Sequence, residues 1–244
     1  MEQQRLPSLI DPPILFAHRG ARAHAPENTL DAFELAVKLG ATGLESDVWV
    51  TADGVAVLDH DGVVRRSRLR TRPISEVNRS DLPDHIPTLR DMLERCVIHT
   101  GLHVSLDVKS TDAFGPTHAT ITALDPQLGS RIWLCHHDVT VLEQVRSQMS
   151  DVRLVDSTRL ERIAEGPERR AARLVASGID AINMRRDDWN GGLVTLFHRF
   201  GLPAFSWDTQ HDHQLRPALR MGVDAVYSDF VDRMVDAARA EGMA

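Results

Sequence analysis

From residue 14 onward the chain alternates short apolar runs with amphipathic stretches. The first run, Ile14-Leu15-Phe16-Ala17, breaks into His18-Arg19-Gly20, the pattern of a buried strand emerging into a loop. Leu30, Phe33, Leu35 and Val37 then supply apolar positions for a helix over about 29–39, which Gly40 stops. A second strand is predicted over 43–49. Thr51-Ala52-Asp53-Gly54 provides the turn into a small hairpin with Val55-Ala56-Val57-Leu58. Residues 62–86 are polar and read as an irregular excursion over the mouth of the fold. After that the alternation is regular. Helices are predicted near 88–98, 113–124, 138–149, 160–177, 192–200, 212–221 and 230–241. Strands are predicted at 103–108, 131–135, 152–155, 181–184, 203–207 and 225–228. Eight strand–helix units without a Gly/Ser/Pro-rich linker predict an α/β protein, a single (β/α)8 TIM barrel over 14–244 with a hairpin and loop insertion after the second strand. Residues 1–13 form a lead-in.

The pattern also locates the chemistry. His18, Arg19, Glu45, Asp47, Asp107, Lys109, His136, Trp207 and Asp229 fall at or near the C-terminal ends of predicted strands, the rim on which barrels of this type build active sites. Composition narrows the class. A length of 244 residues suits one barrel, and an apolar content of 42% is that of an ordinary globular protein. No run approaches the ~18 apolar residues of a membrane span, so stable membrane insertion is not expected. Met1 to Pro7 lacks the basic and apolar regions of a signal peptide, which predicts a cytoplasmic protein. A net charge of −7 disfavours nucleic acid as a partner, and the basic run Arg65 to Arg72 reads as a solvated loop. Cys96 and Cys135 match no metal-ligand spacing and are read as buried thiols of a reducing compartment.

Glu45 and Asp47 are two apart, so on a strand both carboxylates point to one side. Like charges placed together in an apolar strand call for a cation between them. Together with Asp107 on the next barrel strand, they are hard oxygen ligands suited to Mg²⁺ or Ca²⁺; the alternative is that each pairs with an arginine at the rim. His18 and His60 are the natural acid and base, because imidazole titrates near neutrality. A structural role is the alternative for either one taken alone. Arg19 and Lys109 would supply positive charge to a phosphoryl group, or neutralise the carboxylates, or both.

Several of these residues belong to longer motifs. His18-Arg19-Gly20, Pro26-Glu27-Asn28-Thr29, Glu45-Ser46-Asp47, Thr51-Ala52-Asp53-Gly54 and His60-Asp61 occur in the order and spacing of the glycerophosphodiester phosphodiesterase family, which this chain resembles. Ile86-Pro87-Thr88-Leu89, Leu106-Asp107-Val108-Lys109, Phe205-Ser206-Trp207 and the stretch Gly222 to Asp229 are similar to its later landmarks. The resemblance implies a metal-dependent TIM-barrel enzyme that hydrolyses glycerophosphodiesters to glycerol 3-phosphate and an alcohol. It implies His18 and His60 as the acid–base pair and Glu45, Asp47 and Asp107 as ligands of Mg²⁺ or Ca²⁺. It further implies Arg19 and Lys109 as phosphate contacts and Trp207 as a wall of the substrate pocket. Two positions depart from the family pattern. Asp107 stands where the family usually has Glu, a point at which the chain looks like the spider-venom phospholipase D enzymes. Trp207-Asp208-Thr209-Gln210 replaces the usual Trp-Thr-Val-Asn, adding a carboxylate near the pocket.

Two other readings compete. A lysophospholipase D-like enzyme would need an apolar groove at the barrel mouth. A non-catalytic phosphate-ligand binding barrel would have lost catalytic residues, whereas both histidines and all three carboxylates are present. Asp229 is expected to cap the last helix, Tyr227 and Phe16 to pack, and Asn28 to cap its loop or border the site.

Overall fold

The structure is a computed structural model that describes residues 5–67 and 70–243; Arg66 and Ser67 are described through their backbone alone. Eight parallel strands close a ring: β1 (Ile14–Ala17), β2 (Gly43–Val50), β6 (His103–Val108), β7 (Ile132–His136), β8 (Arg153–Thr158), β9 (Ala181–Arg185), β10 (Ala204–Trp207) and β11 (Ala225–Ser228). Pairing of β1 with both β11 and β2 completes the closure. The (β/α)8 barrel is therefore present, and strand boundaries follow the sequence pattern within a few residues.

Alternation along the strands divides the apolar residues between two cores. Leu15 and Ala17 of β1 pack outward under the helices, whereas Ile14 and Phe16 join an interior cluster with Trp133, Phe205 and Tyr227. Phe16 stacks on Tyr227 with ring centroids 4.7 Å apart, and Trp133 meets Phe205 edge-on at 5.0 Å. A glycine at the start of β2 makes room for this plug, since a Cβ on Gly43 would lie 2.5 Å from the Phe16 ring. The plug fills the lower barrel, so the polar inward positions of β2 and β6 lie above it. Tyr227 Oη joins the two layers through Ser105 Oγ at 3.0 Å. The lead-in is bound at the opposite end: Leu6 N–H donates to the Arg220 carbonyl, and Leu9 and Ile10 N–H donate to Asp224 Oδ1.

The insertion after β2 is more ordered than its polar sequence suggests. The hairpin forms with β3 (Ala56–Leu58) antiparallel to β2, in the register Val48↔Leu58. Residues 62–86 were expected to be irregular. They instead contain a two-stranded sheet, β4 (Val63–Ser67) with β5 (Arg70–Pro73), followed by two 3-10 turns. Val64, Ile74, Val77, Leu82 and Ile86 are spaced too widely to show a period, yet they form a third apolar cluster with Val57. Of the basic run, Arg68 and Leu69 lie outside the described residues.

Two helices also differ from expectation. The helix near 88–98 is one α-turn, α2 (Leu89–Met92), continued as a wider π-turn over Leu93–Val97. The predicted 160–177 helix is a 3-10 turn at Leu160–Arg162 and then an α-helix at Pro167–Ala176, because Gly166 at φ +87° and Pro167 begin a new helix there.

Candidate functional site

The HRG turn after β1 depends on backbone conformations that most residues avoid. Arg19 is at φ +52° and Gly20 at φ +79°. A Cβ on Gly20 would lie 2.8 Å from the Ala32 backbone, so only glycine lets the loop lie this close to the following helix. The turn aims the Arg19 N–H at Glu45 Oε2, 2.9 Å away. Asn28, at φ +55° and 5% exposed, braces the loop from the other side. It donates its N–H to the Arg19 carbonyl and accepts from Ser46 Oγ at 2.7 Å. Asn28 is therefore a strut between the HRG loop and β2.

The carboxylates converge as the strand pattern predicts. Glu45 and Asp47 share the inward side of β2, and register places Asp107 of β6 directly beside Asp47. Their neighbours are cations. Lys109 Nζ reaches Asp47 Oδ1 at 2.8 Å and Asp107 Oδ2 at 2.5 Å, and Arg19 Nε lies 3.4 Å from Asp47 Oδ2. Arg19 Nη1 also contacts Glu27 Oε1 at 3.1 Å. Burial pushes the Glu45 carboxyl up to about 7, with Asp47 adding to the rise and His18 opposing it. Lys109 is held above the ordinary lysine range: burial lowers it, but the paired Asp107 and Asp47 outweigh that effect.

His18 sits between two carboxylates. Its Nδ1 lies 2.5 Å from Asp229 Oδ1 and its Nε2 lies 3.8 Å from Glu45 Oε2. Burial works against the charged ring, but Glu45 and Asp229 raise its pKa overall. Asp229 does not cap the final helix: that helix, Val231–Ala240, has Phe230 at its N-cap and no side-chain capping bond. The aspartate is turned instead toward His18, fixing the ring through Nδ1. Its only sequence signal was its position one residue beyond the last strand.

His60 is half-buried and hydrogen-bonds Asp61 Oδ1 through Nδ1 at 2.8 Å. Its loop is shaped by Asp59, whose Oδ2 accepts from Gly62 N–H at 2.7 Å. Gly62, at φ +66°, lies against the Trp49 indole, where an added Cβ would fall 2.4 Å from the ring. Trp49 is thus a support for the His60 loop rather than a pocket wall.

His18, His60, Arg19, Lys109, Trp207 and the three carboxylates all line one open cavity of about 450 Å³ at the C-terminal mouth of the barrel. Every sequence-predicted site residue is therefore brought together. His136 and His137 do not line it: His136 is buried and accepts from the Asp138 N–H at 3.1 Å, and the two rings stack on each other. Five residues on the far wall, Ser157, Thr158, Arg159, Arg162 and Asn183, were not singled out from the sequence. Strand β8 runs through the polar Asp156-Ser157-Thr158, where an apolar pattern had stopped, and this extension carries Thr158 to the mouth. Asp208, the extra carboxylate, pairs with Arg185 at 2.9 Å.

A (β/α)8 barrel with its titratable side chains gathered at the C-terminal mouth is the architecture of an enzyme. Sequence comparison places the chain within that class: residues 18–233 match the model of the glycerophosphoryl diester phosphodiesterase family, and the chain belongs to that family. Human glycerophosphodiester phosphodiesterase 1 is 37% identical over 158 residues, 56% of this chain and 46% of the human protein. The chain thus spans about half the length of the mammalian relatives it matches. The glycerophosphodiester phosphodiesterase of Bacillus altitudinis is 24% identical over 91% of this chain and 96% of its own length. Among solved structures, the Oleispira antarctica phosphodiesterase, in complex with the product sn-glycerol-3-phosphate, shares the fold. Its TM-score is 0.81 at 20% identity, over 93% of this chain and 97% of that one.

Proposed function

We propose that this protein hydrolyses glycerophosphodiesters to glycerol 3-phosphate and an alcohol. The observation that carries the reading is the pair His18 and His60 in one cavity with Arg19, Lys109 and three carboxylates. Membership of the glycerophosphoryl diester phosphodiesterase family supports it, as does the product sn-glycerol-3-phosphate bound by the Oleispira protein.

The residues divide the work by chemistry. One histidine takes the proton from the attacking oxygen and the other gives a proton to the departing alkoxide. Asp229 holds the His18 ring in one tautomer, leaving Nε2 for the reacting group. Arg19 and Lys109 offset charge on the non-bridging phosphate oxygens. Trp207 forms part of the cavity wall.

The carboxylates also fit a hard divalent cation, Mg²⁺ or Ca²⁺. Asp47 Oδ2 is buried with no hydrogen-bond partner, and the three side chains offer only oxygen donors. Among the described residues no three such ligands are already gathered into a metal-binding geometry, and the Lys109 ammonium holds Asp47 and Asp107. Glu45, Asp47 and Asp107 are the residues that would hold the ion. When bound, it would add positive charge beside the phosphate. The charged and polar cavity lining favours a glycerophosphodiester over a lysolipid, whose acyl chain needs an apolar groove. No described helix is long and apolar enough to cross a membrane.

The test is turnover of a glycerophosphodiester, read as glycerol 3-phosphate released, by protein stripped with a chelator and then given Mg²⁺ or Ca²⁺. Stripping is expected to abolish turnover and the ion to restore it. Full activity in excess chelator would remove the metal from this account, and no turnover under any condition would remove the hydrolase.

A further inference from the structure

The wall of the cavity across from the catalytic strands carries a different chemistry. In the ring, β8 lies opposite β1 and β9 opposite β2. These strands and the turn after β8 place Thr158, Arg159, Arg162 and Asn183 in the same cavity as the histidines. Arg19 and Lys109 are already engaged by carboxylates, whereas Arg162 is exposed and has no carboxylate partner among the described residues. Arg159 shares Asp188 at 2.6 Å, and its guanidinium lies 5.9 Å from the centroid of the Trp207 ring. Arg185 approaches the same ring, also at 5.9 Å.

An aromatic ring already approached by two guanidinium groups is a poor seat for an ammonium group. Asn183 adds a second, independent observation. It is 5% exposed, its Oδ1 has no hydrogen-bond partner, and its Nδ2 makes a long 3.4 Å contact to Ser157 Oγ. A buried acceptor left unpaired is unfavourable, and a hydroxyl donor from a bound molecule would satisfy it.

The glycerol half of a glycerophosphodiester carries no charge, so the Arg162 guanidinium, which has no carboxylate partner among the described residues, serves the alcohol half. We infer that the preferred substrate releases a polyol bearing a second anionic group, such as a phosphomonoester. Asn183 Oδ1 accepts from a polyol hydroxyl, and Arg162 pairs with the anion. The reaction itself is unchanged: water adds across the phosphorus–oxygen bond and the departing alkoxide takes a proton. The inference rests on the hydrolase reading above.

Three substrates separate it from that reading: glycerophosphoinositol 4-phosphate, glycerophosphoinositol and glycerophosphocholine. The native protein is expected to show kcat/KM about tenfold higher for the phosphorylated inositol diester than for its unphosphorylated counterpart, with glycerophosphocholine lowest. Arg162→Ala is expected to collapse the ratio between the two inositol diesters toward one, and Arg162→Lys to keep most of it. A native ratio near one, or an undiminished ratio in Arg162→Ala, overturns the inference while hydrolysis stands. Failure to turn over any of the three overturns the hydrolase reading and this inference with it.

Discussion

His18 owes its environment to two carboxylates that have different tasks. Glu45 faces Nε2 across 3.8 Å inside the cavity, whereas Asp229 bonds Nδ1 at 2.5 Å from the far side. Only the second fixes the ring's tautomer. Asp229→Asn is therefore expected to lower kcat about a hundredfold with little change in KM. It is also expected to move the His18 limb of the pH–rate profile to lower pH, because Asp229 is one of the two carboxylates that raise this histidine. A fall in activity with the limb unmoved would reduce Asp229 to a structural part. The sequence placed Asp229 at the rim but not its direction. A residue just beyond a strand faces either a helix N-terminus or the cavity, and the cavity-facing choice here is made by His18, 211 positions away. The carboxylates of β2 were easier to read, because strand alternation alone puts Glu45 and Asp47 on one side.

Among the elements, the His60 loop depends on a contact between Gly62 and Trp49, neither of which lines the cavity. Gly62 can follow His60-Asp61 only because it has no Cβ, with the Trp49 indole filling that space. Gly62→Ala combines a strained φ of +66° with that overlap, so the loop must shift. Activity is expected to fall tenfold or more, on the order expected when a catalytic group is displaced by about 1 Å. Thermal unfolding should move by only a few degrees, since the barrel strands are untouched. Near-native activity in Gly62→Ala would show that His60 does not need this loop geometry. The insertion as a whole was the least legible part of the chain. Five of its apolar residues between 64 and 86 have no helical or strand period, and only their burial against Val57 of β3 reveals the cluster. Helices such as α6 (Gly191–Arg199) were legible within a residue, because an Asn190 cap and an amphipathic face are both local signals.

Across the molecule, the barrel carries a buried charge pair that is not part of the cavity at its mouth. Asp156 of β8 points outward to Arg170, with Oδ2 3.3 Å from Nε, and both residues are buried. Burial pushes the Asp156 carboxyl up to about 6, with Arg170 opposing the rise. A folded-state value above the unfolded one means that the protonated form contributes stability at acid pH and that this contribution is lost as pH rises through about 6. Compared with Asp156→Asn, the native protein is expected to lose on the order of 3 kcal/mol of unfolding free energy between about pH 4 and pH 6, measured by denaturant titration. A relative gain over that interval would mean that Arg170 dominates and holds the carboxylate below its usual range. Neither partner was visible as a pair in the sequence, since a polar residue in a strand reads as a strand end. The eight barrel strands, by contrast, were legible, because each unit repeats the same local grammar of strand, rim residue and helix.

Under the proposed function, the barrel mouth cleaves glycerophosphodiesters through His18 and His60. This claim is tested most directly by phosphorus NMR of one glycerophosphodiester incubated with native protein, His18→Ala and His60→Ala, each first shown to be folded. The native protein is predicted to convert the diester signal to that of glycerol 3-phosphate, and each variant to leave the diester intact. Conversion by either variant at the native rate would contradict the claim, as would a native protein that leaves the diester untouched.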